Sequence, residues 1–379
     1  MKYLMIAGEA SGDIHGAQLI EALKSRDADA EFQFLGGDLM ARAAGRAPIV
    51  HYRDMAYMGF VEVAKHLSAI LGFMRLARRA MLQARPDALV LIDYPSFNLK
   101  MAKFAHGHGI PVFYFISPKV WAWKAYRVRQ IKKYVTRLYS ILPFEVEFYR
   151  RHGYEVEYVG NPTVKEVSEA RERFRSRADF AQANGLLPDK PLIALVPGSR
   201  RKEVLDNLPA MAQAAMRQAG CQAVIAAAPT VDDRLYRQAL GSMRVPVVRG
   251  QSFELVHHAR CAVVTSGTAT LEAAVLGTPQ VACYRMNGKK CLYTFYSRLL
   301  HGKYVTLPNL IADSPVIPEL LLHFCTPDAI DEYLRRLLPD SPARRKMLEG
   351  YERVVQRLGE RNCTQNAAIS IVTALKNRI

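Results

Sequence analysis

The sequence predicts an α/β protein built from two doubly wound parallel-sheet domains. Three observations carry this. The chain has 379 residues, half of them hydrophobic, which is more than one core usually organises. Short, nearly continuous apolar runs alternate with longer helical patterns, as strands buried on both faces alternate with helices. The pattern then starts again after Gly160-Asn161-Pro162.

In the first half the expected strands are 3–7, 31–35, 88–92, 112–116, 138–142 and 156–159. Residues 165–182 read as charged and helical. A second strand series follows at 192–196, 223–227, 245–248, 262–265 and 280–284. The expected domains are 1–163, 164–355 and a C-terminal helix, 356–379, that returns to the first domain or is exchanged in a dimer. No internal sequence repeat or low-complexity segment accompanies the two folds.

The formal charge is +17 and is spread over both halves. Such a field favours anionic partners: nucleic acid, nucleotide sugars or an anionic membrane surface. All six cysteines fall between Cys221 and Cys363, and none forms a CxxC pair. That argues against a zinc ribbon or a secreted disulfide scaffold and fits a reducing cytoplasm. The N-terminus reaches Gly8 too soon for a signal peptide and reads as a first strand. No apolar run attains the ~18 residues of a membrane span.

In open α/β sheets, ligands bind beyond the carboxyl ends of the strands, so the loops there are the places to look. Gly8-Glu9-Ala10-Ser11-Gly12-Asp13-Ile14-His15-Gly16 follows the first strand and opens a helix, but lacks the GxGxxG spacing of a dinucleotide fingerprint. The plainer reading is a tight turn capped by Ser11 or Asp13. Asp93 ends a buried strand, where a carboxylate is costly unless bonded or used; it serves either as a base for a hydroxyl or as the cap of the next helix. Pro197-Gly198-Ser199-Arg200-Arg201 suits a phosphate. Thr265-Ser266-Gly267-Thr268-Ala269-Thr270 opens a helix suited to a diphosphate, and Glu272, a turn further in, is placed to grip ribose hydroxyls.

Other signals are weaker. Asp27-Ala28-Asp29 matches the DxD of metal-dependent glycosyltransferases but reads as a solvated turn. His257-His258 precedes a buried strand, and no metal is assigned to it. The stretch 117–137 holds seven Lys/Arg, two Trp and two Tyr, a pattern for single-stranded RNA, a membrane interface or a helix face beside a cleft. Residues 61–85 and 285–303 likewise mix apolar and basic side chains, which suits an amphiphilic anionic substrate. No RNA-binding signature is present and the charge is diffuse, so nucleic acid is not expected as a partner.

Taken together, the motifs resemble one family. They are Gly8-Glu9-Ala10-Ser11-Gly12-Asp13, Ile92-Asp93 with Pro95 and Phe97-Asn98, Ser117-Pro118 with Val120-Trp121-Ala122-Trp123, Leu142-Pro143-Phe144-Glu145, Pro197-Gly198-Ser199-Arg200, Ser266-Gly267-Thr268-Ala269-Thr270-Leu271-Glu272 and Leu307-Pro308-Asn309-Leu310. In this order they are similar to the lipid A disaccharide synthase series, and Gln365 resembles the family's ending. The resemblance implies a GT-B fold of two facing Rossmann-like domains with the active site between them. It implies transfer from UDP-2,3-diacylglucosamine to 2,3-diacylglucosamine 1-phosphate (lipid X), inverting, with a new β-1,6 linkage and release of UDP. No metal or cofactor is implied. Peripheral association with the cytoplasmic face of the anionic inner membrane is implied, as is a homodimer with exchanged C-terminal segments. By the same resemblance Asp93 is the base, with His15 the second candidate. Ser199, Arg200, Ser266, Gly267, Thr268, Thr270, Glu272 and Asn309 belong to the UDP-donor side, and Glu9, Ser11, Gly12 and His15 to the acceptor side. Ser96 stands where some members carry a second acid. The alternative is another UDP-N-acetylglucosamine enzyme of this fold, a peptidoglycan glucosaminyltransferase or a 2-epimerase; the Trp121-Ala122-Trp123 and Leu307-Pro308-Asn309 segments favour the disaccharide synthase.

Overall fold

A computed structural model describes residues 1–55, 67–121, 125–265, 267–285 and 304–377. Ser266, the Ala122-Trp123 pair and nearly all of the 285–303 patch lie outside these residues, as does the start of the 61–85 patch. The chain divides into two compact units, Met1–Asn161 with Arg361–Ile379, and Pro162–Glu360.

The first unit holds strands β1 (Lys2–Ala7), β2 (Glu31–Gly36), β3 (Val50–His51), β4 (Ala88–Ile92), β5 (Val112–Phe115), β6 (Arg137–Ser140) and β7 (Glu157–Tyr158). They form one sheet in the order β3-β2-β1-β4-β5-β6-β7, with every pair parallel. Its helices are α1 (Ala10–Lys24), α2 (Asp38–Ala44), α3 (Tyr52–Met55), α4 (Leu67–Ala84), α5 (Pro95–Gly107), α6 (Val128–Tyr134) and α7 (Pro143–Arg151). Successive side chains of β1 enter two different cores: Tyr3, Met5 and Ala7 one, Leu4 and Ile6 the other. That alternation is why the strand reads as continuously apolar.

The second unit holds β8 (Leu192–Val196), β9 (Gln222–Ala227), β10 (Val247–Arg249), β11 (Ala259–Thr265), β12 (Gln280–Tyr284) and β13 (Glu319–Leu321), in the order β10-β9-β8-β11-β12-β13. Its helices are α8 (Pro162–Arg171), α9 (Arg177–Ala183), α10 (Arg201–Met216), α11 (Asp233–Leu240), α12 (Ser252–His258), α13 (Thr268–Leu276), α14 (Leu307–Ala312), α15 (Pro327–Leu337) and α16 (Pro342–Leu358). The stretch read as one helical pattern over 165–182 is two helices. Ser176 ends the break by accepting the Asp179 N–H at the start of α9.

The last helix, α17 (Cys363–Lys376), returns to the first unit and buries Ala367, Ala368 and Ile371 in the core that α1 shares. Ser370 Oγ accepts from Tyr139 Oη (3.1 Å) and Arg137 (2.9 Å) and donates to Glu157 (2.7 Å). Asn366 donates to the Val159 carbonyl at 3.0 Å. Among the described residues no helix is long and apolar enough to cross a membrane.

Candidate active site

Each sheet has a point where the strand order reverses, and the crevice beyond it is where such folds take ligands. In the first unit it lies between β1 and β4, where Ala7 pairs in register with Ile92. Gly8 and Asp93 are therefore the next residues on adjacent strands. In the second unit it lies between β8 and β11, where Val196 pairs with Val264. Pro197-Gly198-Ser199-Arg200 leaves one strand there and Ser266-Gly267-Thr268 follows the other. The four loops singled out by sequence thus fall on the two switch points.

Asp93 and Tyr94 are consecutive left-handed residues, with φ of 42° and 48°. Each costs about 1–3 kcal/mol and persists only where the surroundings impose it. Here Asn98 Nδ2 donates to the Ile92 and Asp93 carbonyls (3.2 and 2.7 Å), and Tyr114 Oη donates to the Asp93 carbonyl at 2.7 Å. Tyr94 Oη donates to the Met55 carbonyl at 3.0 Å. The Tyr94 ring lies over Gly8, where a methyl group would come within 2.3 Å of it. Asp93 does not cap α5. The N-cap position is Tyr94, and its side chain makes no capping bond. Burial raises the Asp93 pKa, while the Lys119 ammonium and the Tyr94 N–H lower it.

The Gly8–Gly16 loop corrects the capping expectation. Glu9 occupies the N-cap position of α1, and neither Ser11 nor Asp13 caps that helix. Asp13 is buried and accepts the N–H groups of Gly37 (2.8 Å), Leu39 (3.0 Å) and Met40 (3.1 Å), tying α1 to the start of α2. Gly12 is buried against Ala7 and Ile92, and Ser11 is exposed. His15 sits within α1, half-buried; burial lowers its pKa and keeps it neutral at pH 7, and its Nδ1 has no hydrogen-bond partner. Asp27, read as part of a solvated turn, instead binds the N-terminal ammonium at 2.9 Å.

In the second unit Glu203 organises the loop after β8. Its carboxylate accepts the N–H groups of Ser199 (3.1 Å) and Arg200 (3.2 Å) and pairs with the Arg200 guanidinium (3.1 Å). Arg200 is exposed in this arrangement, so the pair is weakly held and exchangeable for another anion. Gly267 has φ 149°, a region open only to glycine, and Thr268 begins α13 exposed. Glu272 lies one turn on. Burial first, then the neighbouring Glu166 carboxylate, raises its pKa to about 7. Among the described residues it has no ion pair or hydrogen bond. Glu166 carried no signal in the sequence because it belongs to α8, remote from the motif.

Two of the residues expected on the donor side spend their side-chain polar atoms on internal hydrogen bonds. Thr270 is fully buried and its hydroxyl donates to the Gly267 carbonyl at 2.7 Å. The Asn309 amide is saturated. Nδ2 donates to Ile317 O and Glu319 Oε1 (both 2.9 Å), and Oδ1 accepts from Val316 N (2.8 Å) and Ile317 N (2.9 Å). No hydrogen-bonding capacity is left for a ligand. A buried acid that sequence reasoning left without a role, Glu145, binds Trp121 Nε1 at 2.9 Å from the first turn of α7.

This architecture is shared with sugar-nucleotide enzymes. A UDP-GlcNAc 2-epimerase from Neisseria meningitidis superposes with TM-score 0.65 at 14% identity, covering 100% of both chains. The calicheamicin glycosyltransferase CalG4 does so with TM-score 0.58 at 16% identity, covering 100% of this chain and 98% of that one. Two doubly wound parallel-sheet units of this kind define the GT-B fold class. A profile of the lipid-A-disaccharide synthetase family matches residues 3–372. Lipid-A-disaccharide synthases of Myxococcus xanthus and Acidobacterium capsulatum are each 39% identical to this chain. They cover 99% and 98% of it, and 97% and 95% of their own lengths are covered. The chain belongs to the lipid-A-disaccharide synthase family.

Proposed function

We propose that this enzyme transfers a 2,3-diacylglucosamine unit from UDP to the 6-hydroxyl of 2,3-diacylglucosamine 1-phosphate. The acceptor oxygen attacks the anomeric carbon on the face opposite the diphosphate. The C1–O bond to UDP breaks with its electron pair, and Asp93 takes the hydroxyl proton. Inversion of an α-linked donor gives the β-1,6 disaccharide 1-phosphate. The observation that carries this reading is Asp93 itself: a carboxylate at the switch point, held in a strained left-handed turn by Asn98 and Tyr114 and raised in pKa by burial. A raised pKa makes it a better proton acceptor than an ordinary aspartate.

Arg200 pairs with the diphosphate, exchanging Glu203 for it, and offsets charge that grows as UDP leaves. Ser199, Ser266, Gly267 and Thr268 approach the phosphates, and Glu272 accepts from the ribose hydroxyls. Thr270 holds the Gly267 turn, and Asn309 holds the 316–317 backbone and Glu319. Glu9, Ser11 and Gly12 border the acceptor, with His15 the second candidate for the base. No step requires a metal or a cofactor. The 2-epimerase reading rests on fold likeness at low identity, and the family match does not favour it.

We also propose peripheral association with an anionic membrane surface on the cytoplasmic side. On α4, Leu71, Leu76 and Leu82 are exposed together with Arg75, Arg78 and Arg79, apolar contacts and cations for lipid on one helix. Exchange of 361–377 between two copies would reproduce the α17 contacts across a homodimer.

The test is incubation with both lipids and EDTA, with disaccharide followed by mass spectrometry. Wild type forms product catalytically. Asp93→Ala binds UDP but forms none; turnover above a few per cent in that variant would move the base elsewhere.

A further inference from the structure

Between β5 and α6 runs the segment Ile116-Ser117-Pro118-Lys119-Val120-Trp121. It is pinned at both ends. Ile116, a β-branched residue, turns left-handed (φ 66°), and the Ser117 N–H donates to the Tyr139 carbonyl of β6 at 2.9 Å. Val120 is buried. The Trp121 indole N–H donates to Glu145 Oε1 at 2.9 Å, and its ring meets Phe144 edge-on with centroids 5.0 Å apart. Lys119 stays exposed between these anchors, and its charge acts on both Asp93 and Glu145.

The hydrogen bonds around Glu145 favour its neutral form. Ser140 Oγ contacts Glu145 Oε2, lies 2.8 Å from the Leu142 carbonyl and accepts the Leu142 N–H at 3.0 Å. A serine hydroxyl has one proton. If that proton goes to a Glu145 carboxylate, two oxygens 2.8 Å apart face each other with none between them. If Glu145 carries a proton and donates it to Ser140, every contact is satisfied. Burial works in the same direction, raising the Glu145 pKa to about 8 against the lowering effects of Ser140, Trp121, Lys119 and Ser117. The groups that face it are Ser140 from β6, Ser117, Lys119 and Trp121 from the loop, and Tyr149 further along α7, which hydrogen-bonds Ser117 at 2.9 Å.

We infer that Glu145 is a positioning residue: as a neutral acid it ties Trp121 to the end of β6 and so fixes the loop that carries Lys119 beside Asp93. An ionised Glu145 would compete for Lys119. A neutral one leaves Asp93 as the anion that Lys119 serves, and so keeps the base deprotonated. The inference rests on the reading of Asp93 as the base.

Two measurements test it separately. The chain has two tryptophans, so a nitrogen–proton spectrum shows two indole signals, and Trp121→Phe assigns one of them. That signal shifts as pH rises through about 8 in wild type and does not in Glu145→Gln, which keeps a neutral donor and acceptor. A Trp121 signal that does not titrate in wild type overturns the neutral tether, whatever the role of Asp93. In turnover, Glu145→Gln stays within about twofold of wild type while Glu145→Ala loses about tenfold or more in kcat. The acid limb of kcat/KM moves to higher pH in Glu145→Ala, as it does in Lys119→Met, and the double variant is no worse than the poorer single one. A Glu145→Gln as impaired as Glu145→Ala, or a Glu145→Ala with the limb unmoved, overturns the positioning role. Turnover surviving in Asp93→Ala sinks the base assignment alone.

Discussion

The hydroxyl of Tyr114 on β5 donates to the main-chain carbonyl of Asp93 at 2.7 Å, so an interior residue of the neighbouring strand holds the peptide whose side chain is the proposed base. Tyr114 is fully buried and its phenol is pushed well above its ordinary pKa by that burial, so it remains a donor at any working pH. Tyr114→Phe removes one of two donors to this carbonyl and leaves a strained turn less determined. The expected cost is about 1 kcal/mol of stability. The kcat should fall while UDP affinity stays unchanged, because the change lies wholly in the first unit. Melting and single-turnover rates check this; unchanged kcat would mean that Asn98 alone suffices to hold Asp93.

Gly8 offers a harsher test of the same geometry. An alanine there would drive its methyl into the Tyr94 ring at 2.3 Å, and Tyr94 cannot yield without moving the left-handed pair it forms with Asp93. Gly8→Ala should destabilise by about 1–3 kcal/mol, the usual cost of overpacking, and abolish most turnover. Gly8→Ala combined with Tyr94→Ala should recover stability but not activity. Full activity in the single variant would show that Asp93 tolerates displacement.

What the sequence made legible follows what each signal measures. The strands expected at 88–92, 192–196 and 280–284 appear with those bounds, because each is a mostly apolar run bounded by proline or charged residues. β3 and β13 were missed: they are two- and three-residue strands, β3 at one edge of its sheet and β13 at the other sheet's edge, with no run to detect. The run at 112–116 overshoots because hydrophobicity cannot register that Ile116 turns left-handed. Similarly 138–142 stops at Ser140, since Leu142 becomes the N-cap of a helix that Pro143 begins. Asp93 and Glu272 could be picked out by position after a strand. Their partners Tyr114, Lys119 and Glu166 come from other elements, and spacing along the chain carries no information about them. Motif membership also failed to separate residues facing outward, such as Arg200, from those spent internally, such as Thr270.

Glu272 makes the donor side sensitive to pH. Its pKa, about 7, lies above the ordinary 4.5, so the folded protein keeps a proton that the unfolded chain has lost between those values. Folding therefore loses stability as pH rises through that window and is unaffected by this group beyond it. Glu272→Gln removes that slope and should gain up to about 3 kcal/mol relative to wild type by pH 8. UDP binding runs the opposite way. A carboxylate accepts ribose hydroxyls better than the neutral acid, so affinity should rise as pH passes about 7. Glu166→Gln takes away the like charge, lowers the Glu272 pKa and shifts the rise to lower pH. Calorimetric titration of UDP at several pH values decides; a flat affinity in wild type would remove Glu272 from the ribose.

Asn309 should behave as framework. Its four hydrogen bonds join α14 to the 316–317 backbone and to Glu319, whose carboxylate also accepts Thr306 N (2.8 Å), Thr306 Oγ1 (2.7 Å) and Val305 N (3.1 Å). Asn309→Ala strands two buried N–H groups and one carbonyl and leaves the Glu319 carboxylate short of a donor. A loss of about 3 kcal/mol or more is expected. Asn309→Asp is the sharper variant. It keeps both acceptor sites for Val316 and Ile317 but sets a second carboxylate against Glu319, so it should be destabilised most at high pH and recover as the pair takes up a proton. Melting against pH, beside UDP affinity measured well below the melting temperature, separates the two roles. A framework residue lowers the melting temperature and leaves the affinity of the folded protein within a few fold, whereas a ligand contact would lower affinity at every temperature with little change in melting.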